Sequence, residues 1–408
     1  MRGRNWKIAV FHNIASGGSK RSIYEFCSRL RKRGAEIDVY SFEESQEFLP
    51  LSKVANNVFT FRFNLWFPLG EQALLFSPLA LVELARLRAA TKRVARQIDA
   101  GGYDLVLIHN CKYTQCPFLA RFLKTPSIYY CHELYRFINE PHPRYSGIRE
   151  KMRAFLLALL SPYHGILRML ERNNMRSAGL ILTNSCFTQK TIREKYGLDS
   201  EVLYQGVSGN GSRDEVATRR NYVLCVGQLN RWKAQDFLIQ ALAEIEAGKR
   251  PELVIIFNKV SGSYQSYVRK LADRLGVKVT FAGNVSEEQL HRYYEEAKAF
   301  VYAPIREPFG FTPLEAALRK IPVVAVGEGG VRETVVDGVT GRLAPREPKA
   351  FAAVVSEFLD PSDAANLMVE KAYRTVKEKW DWERTIDEFE KIVDDFLSAK
   401  PAGAAEME

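Results

Sequence analysis

Histidine, cysteine and methionine are scarce, with six of each in 408 residues. No D-x-D triplet occurs, and no two histidines stand at ligand spacing, so no metal is expected. The cysteines (Cys27, Cys111, Cys116, Cys131, Cys186, Cys225) form no C-x-x-C pair. Most lie in apolar runs, which points to buried thiols in a reducing compartment. No run of about 18 uncharged apolar residues appears, so no membrane-spanning helix is expected. The opening MRGRNWKIAVFHN has too short an apolar run for a signal peptide and goes straight into a strand pattern, which predicts a cytoplasmic protein. The first glycine turn, Gly17-Gly18, is not a G-x-G-x-x-G fingerprint, which argues against a nicotinamide cofactor.

The chain is long enough for two ordinary domains, with 46% hydrophobic and 26% charged residues. Its net charge of +10 is uneven: residues 1–200 carry 30 Lys and Arg against 16 Asp and Glu, residues 201–408 carry 28 against 32. A basic half joined to a mildly acidic one predicts a domain that meets an anionic surface or substrate.

Apolar runs alternating with helical periodicity predict a parallel sheet covered on both faces. In the first half, strands are expected at Lys7–Asn13, Ile37–Phe42, Val58–Phe63, Leu105–His109, Ser127–His132, Leu180–Asn184 and Val202–Tyr204, with a helix from Ser22 to Arg33. A polar, glycine-rich stretch between Gly206 and Arg220 reads as a linker. Strands then follow at Tyr222–Val226, Leu253–Phe257, Val277–Ala282, Ala299–Tyr302 and Pro322–Val326. Two segments, from Leu65 through the basic run ending at Arg96 and from Tyr145 to Arg176, mix long apolar surface with cations. They read either as domain core with a solvated face or as a patch for anionic lipid.

The richest stretch runs from Ala299 to Pro345. A buried strand ends at Pro304, a polar loop follows, and Thr312-Pro313-Leu314-Glu315 is expected to open a helix with Thr312 as N-cap. The turn Gly327-Glu328-Gly329-Gly330 precedes a further short helix at Val331. Helix N-termini after the carboxyl ends of parallel strands are where phosphate-bearing ligands bind. Glu307 and Glu315 are separated by seven residues, with Phe309-Gly310-Phe311 between them.

This constellation, with the GGVRE turn behind it, resembles the family 4 glycosyltransferases: retaining, nucleotide-sugar-dependent and metal-independent. The resemblance implies the GT-B fold, an α/β architecture of two Rossmann-like domains facing each other across a cleft. The domains would be 1–206, for the acceptor, and 207–384, for the donor, with a closing helix near 385–398 returning to the first. It implies a nucleotide-sugar donor as co-substrate, no cofactor, and a glycan or lipid-linked acceptor, with peripheral attachment to the inner face of a membrane as an option. The absence of D-x-D also argues against the other common glycosyltransferase fold.

By the same resemblance, Lys233 would meet the donor diphosphate. Position 228 is glutamine where the family usually has arginine, so Arg231 is the candidate replacement cation. Glu315 would accept from the ribose hydroxyls and Glu307 would hold the transferred sugar. Backbone N–H groups of Phe309, Gly310, Phe311 and Thr312 would face sugar and diphosphate, and backbone at Val285 the nucleobase. Gly17 and Gly18 are either a plain βα turn or an approach to diphosphate and acceptor. His132 would touch the donor sugar without being an obligatory base. His109 is more readily a structural histidine, and His12 stays open. Ser208 stands where the family often has aspartate. Two other readings remain: a nucleotide-sugar epimerase on the same fold, which the glutamate spacing disfavours, and a non-catalytic nucleotide-sugar-binding scaffold, which Gln228 and Ser208 make conceivable. Nucleic acid is not an expected partner.

Overall fold

A computed structural model describes residues 5–14, 17–42, 49–66, 80–140, 159–208, 219–258, 262–360 and 362–399. The chain divides into two compact units, Met1–Gln205 with Glu383–Glu408, and Gly206–Trp382.

The first unit is built on β1 (Lys7–Asn13), β2 (Glu36–Phe42), β3 (Asn57–Phe61), β4 (Leu105–Cys111), β5 (Ser127–Cys131), β6 (Leu180–Thr183) and β7 (Glu201–Val202). They pair in parallel in the order β3-β2-β1-β4-β5-β6-β7. Every residue of β4 and β5 is buried, the continuous apolar pattern of a strand covered on both faces. Four strands of this sheet end earlier than expected: β3 at Phe61, β5 at Cys131, β6 at Thr183 and β7 at Val202. Beyond β7, Leu203 still donates its N–H to the Thr183 carbonyl (2.8 Å).

The helix Trp382–Ser398 packs on this unit through Ile386, Phe389 and Val393, all fully buried. Phe389 meets Phe26 edge-on at 5.5 Å. Arg33, at the end of the helix Gly18–Lys32, reaches Glu383, Asp387 and Glu390 of the closing helix.

The second unit carries β8 (Arg220–Val226), β9 (Glu252–Phe257), β10 (Val279–Gly283), β11 (Ala297–Tyr302), β12 (Val323–Val326) and β13 (Arg342–Ala344). Their parallel order is β10-β9-β8-β11-β12-β13. β13 was not expected: three residues, one of them charged, carry no periodicity. It is added by register against Val324, Ala325 and Val326.

Cys186 departs from the expected pattern. It opens the helix Cys186–Tyr196 and is exposed, while the other five thiols are buried. A helix start past the end of a strand faces solvent, which an apolar neighbourhood in sequence does not reveal. Of the two apolar-basic segments, residues 67–79 of the first and 145–158 of the second lie outside the described residues. In the described part of the first, the helix Ala80–Ala100 buries Leu84, Leu87, Val94 and Ile98 as core. No helix among the described residues is long and apolar enough to cross a membrane.

Candidate active site

In the second unit, β8, β11 and β12 lie side by side, so the loops at their carboxyl ends are neighbours. The β8 loop runs Gly227-Gln228-Leu229-Asn230 into a single turn at Arg231–Lys233. Asn230 caps that turn, its Oδ1 accepting from the N–H groups of Trp232 (3.0 Å) and Lys233 (3.2 Å). The cap aims Lys233 at the β11 loop, where its ammonium meets Glu307 Oε1 at 2.6 Å. A backbone bond joins the same loops, the Ile305 N–H donating to the Trp232 carbonyl (2.8 Å).

The β12 turn locks onto the β11 loop from the other side. Gly330 N–H donates to the Glu307 carbonyl at 2.7 Å. A Cβ on Gly330 would meet the Pro308 carbonyl oxygen, so only glycine permits this approach. Arg346, just past β13, grips both Glu328 carboxylate oxygens at 2.9 Å and also donates to the carbonyls of Ala303 and Pro304. It ties the end of β11 to the glycine turn. Arg346 was missed because a single arginine after a proline carries no sequence signal.

The helix after the β11 loop runs Phe311–Leu318, two residues earlier than expected. Thr312 is therefore inside the helix, not its cap. Gly310, at φ +107°, turns the chain into the helix without a side-chain cap, and that left-handed geometry replaces the expected Thr312 cap. Glu315 is instead directed to Tyr294, whose hydroxyl donates to Oε2 at 3.3 Å. Phe309 is buried and packs against Phe311 (4.9 Å) and Trp380 (5.4 Å), anchoring the loop from beneath. Val285 follows β10, two strands from β8, with Asn284 left-handed before it.

Arg231, the candidate replacement cation, stacks on two tyrosines. Its guanidinium lies over the rings of Tyr267 (4.8 Å) and Tyr264 (5.5 Å) on the helix Gly262–Leu275. Gln228 is engaged within its own loop: its side-chain oxygen accepts from Asn230 (3.2 Å), and its carbonyl accepts from Gln235 (2.9 Å).

In the first unit, Gly17 precedes the helix Gly18–Lys32 in extended backbone, and its carbonyl accepts from the Arg21 N–H (3.1 Å). Lys20 in the first turn is buried. The carboxyl ends of β1, β4 and β5 bear His12, His109 and His132, all buried. His109 Nδ1 and His132 Nε2 are 2.9 Å apart. Asn110 fixes the chain at His132: its Oδ1 accepts from the His132 N–H (3.0 Å), and its Nδ2 donates to the Glu133 carbonyl (2.7 Å). Asn184 donates to the His132 carbonyl at 3.0 Å. Burial lowers His12 and His132 to about 3. His109 lies well below its ordinary value through burial and the neighbouring His132 and His12. All three rings are therefore neutral near pH 7.

Two doubly wound parallel units with these loops are the GT-B architecture, and the chain is a glycosyltransferase. The family model described as "Glycosyltransferase Family 4" matches residues 16–208, and that described as "Glycosyl transferases group 1" matches 212–375. The chain belongs to glycosyltransferase family 4. It is 28% identical to a D-inositol 3-phosphate glycosyltransferase of Geodermatophilus obscurus, over 96% of this chain and 86% of that one. It is 24% identical to the alpha-1,3/1,6-mannosyltransferase alg2 of Schizosaccharomyces pombe, over 86% and 73%. Among solved structures, Anabaena HepE in complex with UDP and glucose superposes with a TM-score of 0.71 at 19% identity, covering 95% of this chain and 99% of that one.

Proposed function

We infer that the protein is a retaining transferase that moves a sugar from a nucleoside-diphosphate donor to a hydroxyl of a glycan or lipid-linked acceptor, as in synthesis of cell-envelope polysaccharide or glycolipid. The observation that carries this reading is the Lys233–Glu307 pair at the carboxyl edge of the second sheet, held by Gly330 and Arg346. In the proposed reaction the bond from the anomeric carbon to the diphosphate breaks, and a bond to the acceptor oxygen forms on the same face. The acceptor proton passes to the departing phosphate oxygen. Negative charge grows on that phosphate, and a cation fixed in advance stabilises it without reorganising. Lys233 supplies that cation, and Glu307 orients the sugar hydroxyls. Glu315 takes the ribose, Val285 backbone the base, and the N–H groups from Phe309 to Thr312 the diphosphate and sugar. Gly17 and Gly18 belong to the acceptor side, and His132 touches the donor sugar. With Gln228 uncharged and Arg231 over tyrosines, Lys233 and the backbone N–H groups carry the diphosphate. No metal enters the scheme.

HepE holds UDP, so uridine sugars come first in the screen. Hydrolysis and transfer are to be measured across uridine, guanosine and adenosine diphosphate sugars, with Glu307→Ala as control. Turnover lost in that variant supports the reading. Tight binding without turnover in the wild type supports a scaffold, and interconversion of the sugar without release supports an epimerase.

A membrane surface is the proposed second partner. Leu159, Ile166 and Met169 are 67%, 38% and 54% exposed, on and just before the helix Ser161–Arg176. Their spacing puts them on one face, beside the exposed Arg172 and Arg176.

A further inference from the structure

The loop that leads from β8 to Lys233 is held by side-chain amides, and chemistry fixes which way each of them points. Asn230 Oδ1 accepts from two backbone N–H groups, those of Trp232 (3.0 Å) and Lys233 (3.2 Å). A backbone N–H can only donate, so the oxygen of that amide must face the turn and its Nδ2 must face away. Nδ2 lies 3.2 Å from the end of the Gln228 side chain. Two NH2 groups would meet there as donors with nothing to accept, so Gln228 presents its Oε1. Each amide then has one permitted orientation.

The Gln228 backbone is fixed in its turn. Its carbonyl accepts from Gln235 Nε2 at 2.9 Å and from the Asn230 N–H at 3.1 Å, and Gln235 is fully buried at the start of the helix Gln235–Ala243. The far end of the turn closes on Ala234, left-handed at φ +50°, whose N–H donates to the Arg231 carbonyl (3.3 Å). A non-glycine residue stays in that region only where its surroundings hold it there. The turn bearing Lys233 is therefore fastened at both ends.

We propose that Gln228 is a positioning residue: its Oε1 keeps the Asn230 amide the right way round, and Asn230 fixes the turn that points Lys233 at Glu307. The proposal rests on Lys233 being the cation that meets the donor diphosphate. Arginine at 228 could not take this place, because a guanidinium has donors and no acceptor. A cation fixed in advance stabilises growing charge without reorganising, whereas one on a loosened turn must first be ordered. Loss of the brace should therefore lower kcat and leave KM for the donor little changed.

Hydrogen exchange at the Trp232 amide reads the cap without any substrate. The chain has five tryptophans, so 15N-tryptophan labelling of the full-length, ligand-free protein gives few signals, and Trp232→Phe assigns the one needed. In Gln228→Met this amide should exchange about fivefold faster, the worth of one neutral hydrogen bond. Gln228→Glu keeps the acceptor and should match the wild type. A carboxylate has no wrong end, so the cap in Asn230→Asp needs no orienting partner. Adding Gln228→Met to Asn230→Asp should then change the exchange rate by less than about twofold. An equal acceleration in both backgrounds would show that Gln228 acts on the loop as a whole, and the proposal fails. It also fails if Gln228→Met slows transfer while the Trp232 amide is unmoved, because the glutamine then meets the ligand itself. With the best nucleotide sugar, kcat in Gln228→Met should fall about fivefold with KM within about twofold. Gln228→Arg should lose as much despite its added charge, and a gain of kcat there overturns the proposal. If the exchange rates come out as expected but the wild type transfers from no nucleotide sugar, the functional reading fails while the brace stands.

Discussion

Glu307, Glu315 and Glu171 show how one side chain type serves different ends. Glu307 faces a lysine, and Glu315 a tyrosine hydroxyl. Glu315→Gln keeps the shape but loses the charge, and a charge-assisted hydrogen bond is worth about 1.5–3 kcal/mol. Nucleoside diphosphate binding, measured by titration calorimetry, should weaken by about 10- to 100-fold. Glu307→Ala should instead cut kcat, by about a hundredfold, because its proposed partner is the reacting sugar. Glu171, on the helix Ser161–Arg176, is buried and accepts from the Tyr135 N–H (2.9 Å), Asn139 (3.1 Å) and the Tyr196 hydroxyl. Burial raises it from an ordinary 4.5 to about 7, against those hydrogen bonds and Arg168. The folded state thus holds a proton that the unfolded chain has already released, and stability from this group falls as pH rises from about 4.5 to 7. The neutral histidines act in reverse: unfolded histidine takes a proton near pH ~6.5, so their contribution falls as pH drops below that value. Glu171→Gln removes only the first effect. Its Tm, minus that of the wild type at the same pH, should rise from pH 4.5 to 7; a flat difference would show that Glu171 does not titrate in that window.

At the level of elements, parallel strands buried on both faces were legible because they read as apolar runs, as in β4 and β5. The Gly310 helix start was not, because a left-handed residue overrode the cap that Thr312 and Pro313 advertise. The partnership of Lys233 and Glu307 was equally hidden. Each was marked by its own motif, but 74 residues separate them and only adjacency of β8 and β11 joins them. Arg346 and the His109–His132 contact belong to the same class: strand order makes them, and strand order is not written in any local pattern. The glycine turn offers a test of that interlock. Gly330→Ala must push the Pro308 carbonyl away. Overpacking of this kind costs about 1–3 kcal/mol, and here it displaces the loop bearing Glu307. Urea unfolding should shift modestly, while the thermal shift given by a nucleoside diphosphate should disappear. Retention of that shift would mean the loop does not hold the donor.

On the scale of the whole chain, the helix Trp382–Ser398 follows the second unit in sequence and serves the first in structure. The family resemblance implied this return to the first unit, but no pattern within the helix itself says which contacts hold it there. Phe26, Phe389 and Arg33 supply those contacts, through the ring pair and the three carboxylates gathered on one guanidinium. Burial of Phe389 contributes more than the ion pairs, because Glu383 and Asp387 are 56% and 70% exposed and such pairs are screened. Phe389→Ala should therefore cost about 3–5 kcal/mol, and the loss should fall on the first unit alone. Scanning calorimetry with and without a nucleoside diphosphate separates the two. The substitution should lower the transition of the first unit, and the nucleotide should still raise that of the second by the wild-type amount. Arg33→Ala should lower the first transition far less. If Phe389→Ala instead abolishes the nucleotide shift, the helix supports the donor-binding unit, and the assignment of the closing helix to the first unit is wrong.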